Sequence, residues 1–255
     1  MILVEVCPTG IKGLDDLMNG GIPKGRVVLL VGGPGSGKTI LAAQFLHKGI
    51  KDHKENGVFV SLDESKSHFF SEMDSFGWDF AEAERNRKLA FVDAARTASA
   101  SMLKEEIFKE ESHSLKGKQL PIDKLVEELR NKIASVDAKR VALDTLTALF
   151  YRFPDAVERR TAMVDLIHMI SGLNITTVIT TELAHLGLER NVLEEEYLVH
   201  GVVMMQTLFA GGTTTRALQI EKMRGTKVNP NLVPYTIDRN GIEVFPNMPL
   251  FGKKS

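Results

Sequence analysis

One octapeptide limits the possible folds more than any other feature of the chain. Gly32-Gly33-Pro34-Gly35-Ser36-Gly37-Lys38-Thr39 fits G-x-x-x-x-G-K-[ST] at every position. It lies between an apolar run at residues 26–31, which reads as a buried strand, and a helical period over residues 38–50. The glycines let successive backbone N–H groups turn inward around an anion, and the helix after the loop adds its partial positive charge. A glycine-rich turn with a chance lysine is the plain alternative, and the strand–helix setting argues against it.

The expected ligand is a nucleotide, ATP, held by Gly33, Pro34, Gly35, Ser36, Gly37, Lys38, Thr39 and Ile40. Lys38 is expected to reach the β- and γ-phosphates, and the Thr39 hydroxyl to bind Mg²⁺. A second group for the metal should end a neighbouring buried strand. Arg140-Val141-Ala142-Leu143-Asp144 supplies Asp144 there, at the carboxyl edge where open α/β sheets bind ligands. Asp144 also reads as an N-cap for the segment after it, and the two readings are compatible. Hydrolysis needs a group to orient or deprotonate water. Asp63 and Glu64 close the run at residues 58–62 and are expected at the same edge, unless they are solvated loop acids.

Apolar runs and helical periods alternate through most of the chain. Strands are expected at residues 58–62, 89–92, 140–143 and 175–180. Helical stripes run through Phe69, Phe70, Met73 and Phe76, through Ile122, Leu125, Val126, Leu129 and Ile133, and through Met163, Leu166, Ile167 and Ile170, with Asp155 as an N-cap. Such alternation implies a mostly parallel twisted sheet flanked by helices. The tail differs. Residues 202–208, 214–221, 235–238 and 242–245 read as strands without helices between them, with turns at Gly211-Gly212 and Asn240-Gly241. A C-terminal antiparallel extension is expected. Residues 104–119 read as a short amphipathic helix and a solvated loop.

Composition closes off other classes. Thirty-two basic against 33 acidic residues leave a net charge of -1, without the basic excess of a constitutive nucleic-acid coat. The single cysteine, Cys7, excludes an intrachain disulfide framework and a clustered-cysteine zinc site. The start lacks the pattern of a signal peptide, and no apolar run approaches the ~20 residues of a membrane span. A cytoplasmic protein without membrane contact is expected, as one domain over residues 1–255 with its core at about 7–246.

Further segments carry a resemblance. Thr9-Gly10-Ile11-Lys12-Gly13-Leu14-Asp15-Asp16-Leu17, Gly20-Gly21-Ile22-Pro23-Lys24-Gly25, Ser75-Phe76-Gly77-Trp78-Asp79, Val178-Ile179-Thr180-Thr181-Glu182 and Glu221-Lys222-Met223-Arg224-Gly225-Thr226 occur in that order. With the phosphate loop they resemble one domain of the KaiC-type RecA-fold ATPases, over nearly the whole chain. The resemblance implies a RecA-like P-loop NTPase with Glu64 as the water-positioning catalytic glutamate, Asp63 its neighbour and Lys38 in the catalytic set. It implies Asp144 as the Walker B acid, Ser75 on the adenine side, and Glu182 at the strand that senses the γ-phosphate. Lys222, Met223, Arg224 and Thr226 match a segment that reaches the next subunit's nucleotide, which implies self-association, most simply a hexameric ring.

The sequence departs from the family in places. Val228 stands where relatives carry a histidine, so the neighbour's contacts to base or ribose are expected to differ. The sequence shows one such domain, where the circadian-clock member of that family carries two in tandem. Glu196 and Tyr197 occupy the places of the clock kinase's paired phosphoacceptors, which speaks against a self-timing phosphorylation cycle. Two other functions compete with the ATPase reading. A DNA-handling recombinase relative would need basic or aromatic loops at the ring axis. Residues 150–154 offer Phe150, Tyr151, Arg152 and Phe153, but residues 183–200 carry Glu189, Glu194, Glu195 and Glu196 against Arg190. Nucleic acid is therefore not the favoured partner. A scaffold that binds nucleotide with little hydrolysis would not need the catalytic acids. The sequence names no protein partner.

Overall fold

The computed structural model describes residues 4–94, 121–150, 153, 155–183, 192–210, 212–248 and 250. The helix and loop expected over residues 104–119 lie outside them, as do Tyr151, Arg152, Glu189 and Arg190.

A short antiparallel pair, β1 (Val6–Cys7) and β2 (Ile22–Pro23), flanks helix α1 (Leu14–Leu17). Strand β3 (Val27–Gly32) is buried at every position, as a strand covered on both faces must be. Helix α2 (Lys38–Lys48) comes next and runs into a π-helical turn, Gly49–His53. Then come β4 (Gly57–Ser61), α3 (Lys66–Asp74), α4 (Phe80–Arg85) and β5 (Leu89–Asp93). They are followed by α5 (Pro121–Val136), β6 (Arg140–Asp144), α6 (Leu146–Phe150), α7 (Ala156–Gly172) and β7 (Thr176–Glu182). The chain then forms α8 (Glu194–Leu198), β8 (Gly201–Ala210), β9 (Thr213–Met223), β10 (Val233–Asp238) and β11 (Gly241–Val244).

The main sheet has nine strands in the order β11-β10-β9-β8-β3-β7-β6-β4-β5. From β8 to β5 all neighbours run parallel. Strands β9, β10 and β11 are added antiparallel. The extension therefore begins one strand later than expected: β8, the first strand of the tail, is parallel to β3 and antiparallel to β9. The last hairpin also differs. Asp238 pairs with Gly241, so the two loop residues are Arg239 and Asn240, and Gly241 opens β11. Its φ of 100° and the Gln44 side chain, 2.5 Å from where a Cβ would sit, both require glycine.

Alternation along β3 divides the core. Val28 and Leu30 join Phe45, Phe59 and Phe69 on one face. Val27, Leu29 and Val31 join Leu125, Leu129, Leu166 and Ile170 on the other. Period-two side chains and helical stripes meet there, each fully buried apolar side chain contributing about 1.5–3 kcal/mol. Asp155 caps α7 by accepting from Val157 N at 2.8 Å and Glu158 N at 2.9 Å, a contact of about 1 kcal/mol. Among the described residues, no helix is long and apolar enough to cross a membrane.

Candidate nucleotide-binding site

Parallel strands present all their carboxyl ends at one edge. β3 ends in Gly32, β4 in Ser61, β6 in Asp144 and β7 in Glu182. The expected phosphate loop and acids thus come together because of strand direction and order. The Lys38 ammonium turns back into the loop and donates to Gly32 O at 2.8 Å and Gly33 O at 3.1 Å. Burial lowers its pKa, and the negative charges of Glu182 and Asp144 oppose that shift. Ser36 closes the turn with Oγ on Gly33 O at 2.8 Å.

The loop is braced from the tail. Tyr235 on β10 donates its hydroxyl to Ser36 O at 2.6 Å. Burial pushes the pKa of that phenol up, which keeps it a donor. Gly37 has φ 87°, and a Cβ there would lie 2.6 Å from Ile237 Cδ1. A larger residue would strain the backbone and push β10 away.

Two hydroxyls meet the buried Asp144 carboxylate. Thr39 Oγ1 donates to Oδ2 at 2.8 Å, and Thr180 Oγ1 donates to Oδ1. Burial raises the Asp144 pKa, while Thr180, Thr39 and the charge on Lys38 pull it down. The backbone carbonyl of Asp144 accepts Leu62 N at 2.7 Å, and Glu64 N donates to Ser61 Oγ at 2.9 Å. These bonds fix the turn that carries the two further acids. Asp63 is exposed and Glu64 half-buried. Burial raises both their pKa values; Asp144 adds to it for Asp63, and Glu72 and Asp63 add to it for Glu64. His68 lies 3.8 Å from Glu64 and 3.9 Å from Glu72. A half-buried carboxylate at this edge is the kind of group that can orient or deprotonate an attacking water.

A cleft of about 570 Å³ opens over the loop, lined by Gly35, Gly37, Lys38, Thr39, Ile40, Glu72, Arg216 and Ile237. Arg216, Glu72 and Ile237 were not anticipated from the sequence. Arg216 is the informative one, because it brings a cation to the phosphate loop from within the same chain. Ser75 is not among the lining residues. It lies just past the end of α3, and its hydroxyl donates to Glu72 O at 2.7 Å.

The segment expected to act in trans lies elsewhere. Gly32 pairs with Met205, whereas Met223 pairs with Gly201 and Lys222 with Val202, toward the opposite ends of the strands. At ~3.3 Å per residue this is on the order of 13 Å from the loop of the same chain. Lys222 Nζ donates to Glu196 O, and Arg224 Nη2 to Tyr197 O at 3.3 Å. The Met223 side chain is buried in its own core. Thr226 is half-exposed beside them.

A phosphate loop on the central strand, an acid ending a strand two places away and an antiparallel tail define a RecA-type P-loop ATPase. Known proteins agree with this assignment. The family described as "ATPase: KaiC" matches residues 7–248. The circadian clock oscillator protein KaiC of Parasynechococcus marenigrum is 34% identical over 244 residues, covering 95% of this chain and 45% of its own length. The chain thus spans about half of that relative. The UPF0273 protein MJ1359 of Methanocaldococcus jannaschii is 34% identical over 241 residues, covering 94% of this chain and 96% of its own. Among solved structures, the KaiC-like protein PH0186 from Pyrococcus horikoshii matches with TM-score 0.80 and 31% identity, over 95% of this chain and all of the other. The chain belongs to the KaiC family of ATPases.

Proposed function

We propose that this single KaiC/RecA-like domain hydrolyses ATP slowly, with Mg²⁺, and that nucleotide at the subunit seam holds the protein in a ring, most simply a hexamer, whose state governs assembly or partner binding. The observation that carries this reading is the division of polar and charged groups between the two ends of the sheet. Lys38, Thr39, Asp144 and Glu64 share the carboxyl edge, whereas Lys222 and Arg224 lie beyond reach of it in their own chain.

The residues present fit a hard cation. Thr39 and Asp144 place a hydroxyl and a carboxylate oxygen side by side, the donor type that magnesium takes. They would hold the ion, which when bound neutralises charge on the β- and γ-phosphate oxygens. Lys38 and the N–H groups of the loop from Gly33 to Thr39 bind the phosphates, with Ile40 behind them. Arg216 adds a second cation from the same chain. Glu64 orients water and takes its proton, and Asp63 keeps the local field negative so that Glu64 remains a base. Ser75 serves the adenine side. Lys222 and Arg224, with the Met223 backbone and Thr226, act on the neighbour's nucleotide, where a cation stabilises charge on the transferring phosphoryl.

Mixing two inactive variants tests this directly. Lys38→Ala and Arg224→Ala chains are combined, subunit exchange is followed by fluorescence energy transfer, and phosphate release is measured. Activity above the mean of the parents is expected, because some seams pair an intact loop with an intact Arg224. A mixture that exchanges subunits and stays inactive removes the trans role.

A further inference from the structure

Glu195 is a buried acid that the proposed hydrolysis does not use. It is 4% exposed, a costly place for a carboxylate, which gives up its hydration there. Its Oε1 accepts a hydrogen bond from Thr181 Oγ1 at 3.3 Å. A buried hydrogen-bonded pair can be replaced by apolar groups of the same shape at little cost when both partners are changed, so stability alone gives no reason for a carboxylate here. Its position does.

Glu195 lies on α8, between the phosphate loop and the trans cations. On the loop side, Thr181 pairs with Val31, one step before Gly32. Leu183 N donates at 3.2 Å to Gly32 O, the same carbonyl that accepts the Lys38 ammonium at 2.8 Å. Thr147 Oγ1 accepts Glu182 N at 2.9 Å and lies 3.4 Å from Thr181 Oγ1. The end of β7 is therefore bonded to the loop that is expected to hold the phosphates. On the other side, the carbonyls of Glu196 and Tyr197 accept from Lys222 and Arg224. Helix α8 links the two sides, because Glu195, Glu196 and Tyr197 are consecutive residues on it.

We propose that Glu195 is a positioning residue, which ties α8 to the nucleotide-bearing end of β7 so that the same helix holds Lys222 and Arg224 in place for the neighbouring subunit. This rests on the reading that those cations act in trans. Nucleotide bound by one chain would then bias the cations it offers to the next, through a contiguous set of hydrogen bonds.

The test uses the full chain. Glu195→Ala is expected to bind a fluorescent ATP analogue like the wild type and to lose about 10-fold in kcat, on the scale of one buried hydrogen bond to a charged group. Glu195→Gln keeps the acceptor and should stay close to wild type; equal damage in both variants overturns the hydrogen-bonding role. The decisive readout is the mixture of Glu195→Ala with Lys38→Ala. The Lys38→Ala chain supplies well-held cations to the intact loop of the Glu195→Ala chain, so activity should rise above the mean of the parents. If Lys38→Ala with Arg224→Ala recovers and Lys38→Ala with Glu195→Ala does not, Glu195 acts on its own loop and the proposal fails alone. If neither mixture recovers while subunits exchange, the trans reading fails and takes the proposal with it. Should Glu195→Ala not fold, Thr181→Val removes the donor instead and enters the same mixtures with the same two outcomes.

Discussion

Thr39 and Asp144, 105 positions apart in sequence, share a hydrogen bond of 2.8 Å that joins the first turn of α2 to the end of β6. The bond brings together the two oxygens expected to hold the metal. Phosphate release should therefore require Mg²⁺ and stop on chelation with EDTA. Thr39→Ala should raise the Mg²⁺ concentration needed for half-maximal turnover, and Lys38→Ala should lower turnover by about 100- to 1,000-fold, the scale of losing one preorganised charge-stabilising donor. An unchanged Mg²⁺ requirement in Thr39→Ala would take that residue out of the metal site.

Glu64 is held by Ser61 Oγ at its backbone and is half-buried beside His68. Glu64→Gln preserves shape and hydrogen bonding while removing the base. Turnover should fall by ~100-fold or more with ATP affinity retained. Single-turnover phosphate release measures the first and nucleotide titration the second. Equal turnover in wild type and variant would exclude Glu64 as the base.

His47 stacks on Trp78 with centroids 5.3 Å apart, and burial, helped by Lys51 and Lys48, lowers its pKa to about 4. The unfolded chain takes up a proton near pH 6.5 that the folded chain refuses until about 4. The contribution to stability is thus complete above pH 6.5 and is lost as pH falls toward 4. Urea midpoints for wild type and His47→Phe, measured across that window, should show the wild type losing ground to the variant as acid is added. A difference that stays constant with pH would contradict this.

Arg140 is fully buried between β4 and β7, stacked over Phe45, and its Nε donates to Glu55 at 2.7 Å. Glu55→Ala would leave the guanidinium charge without its counter-ion, at a cost of about 3 kcal/mol. Denaturant unfolding should show the loss. Replacing both residues together, Arg140→Met with Glu55→Ala, should recover most of it, and failure to do so would mean that packing rather than charge holds the site.

What the sequence determined by itself was local or one-dimensional. The phosphate loop, Asp144 at a strand end, and Asp63 with Glu64 after another follow from spacing along a single strand, because a strand directs its last residue to a fixed edge. Helices α5 and α7 were legible from their apolar stripes for the same kind of reason. The resemblance carried by Lys222 to Thr226 marked the segment but not its place. Tertiary structure decided the rest. The pairing of β8 beside β3 and of β9 beside β8 puts Arg216 over the phosphate loop and Lys222 and Arg224 at the other end of the sheet. Tyr235 reaches Ser36 across 199 positions, and Glu195 meets Thr181 across 14. Strand order and register come from pairing between segments far apart in the chain, and no local pattern encodes which strand will be the neighbour.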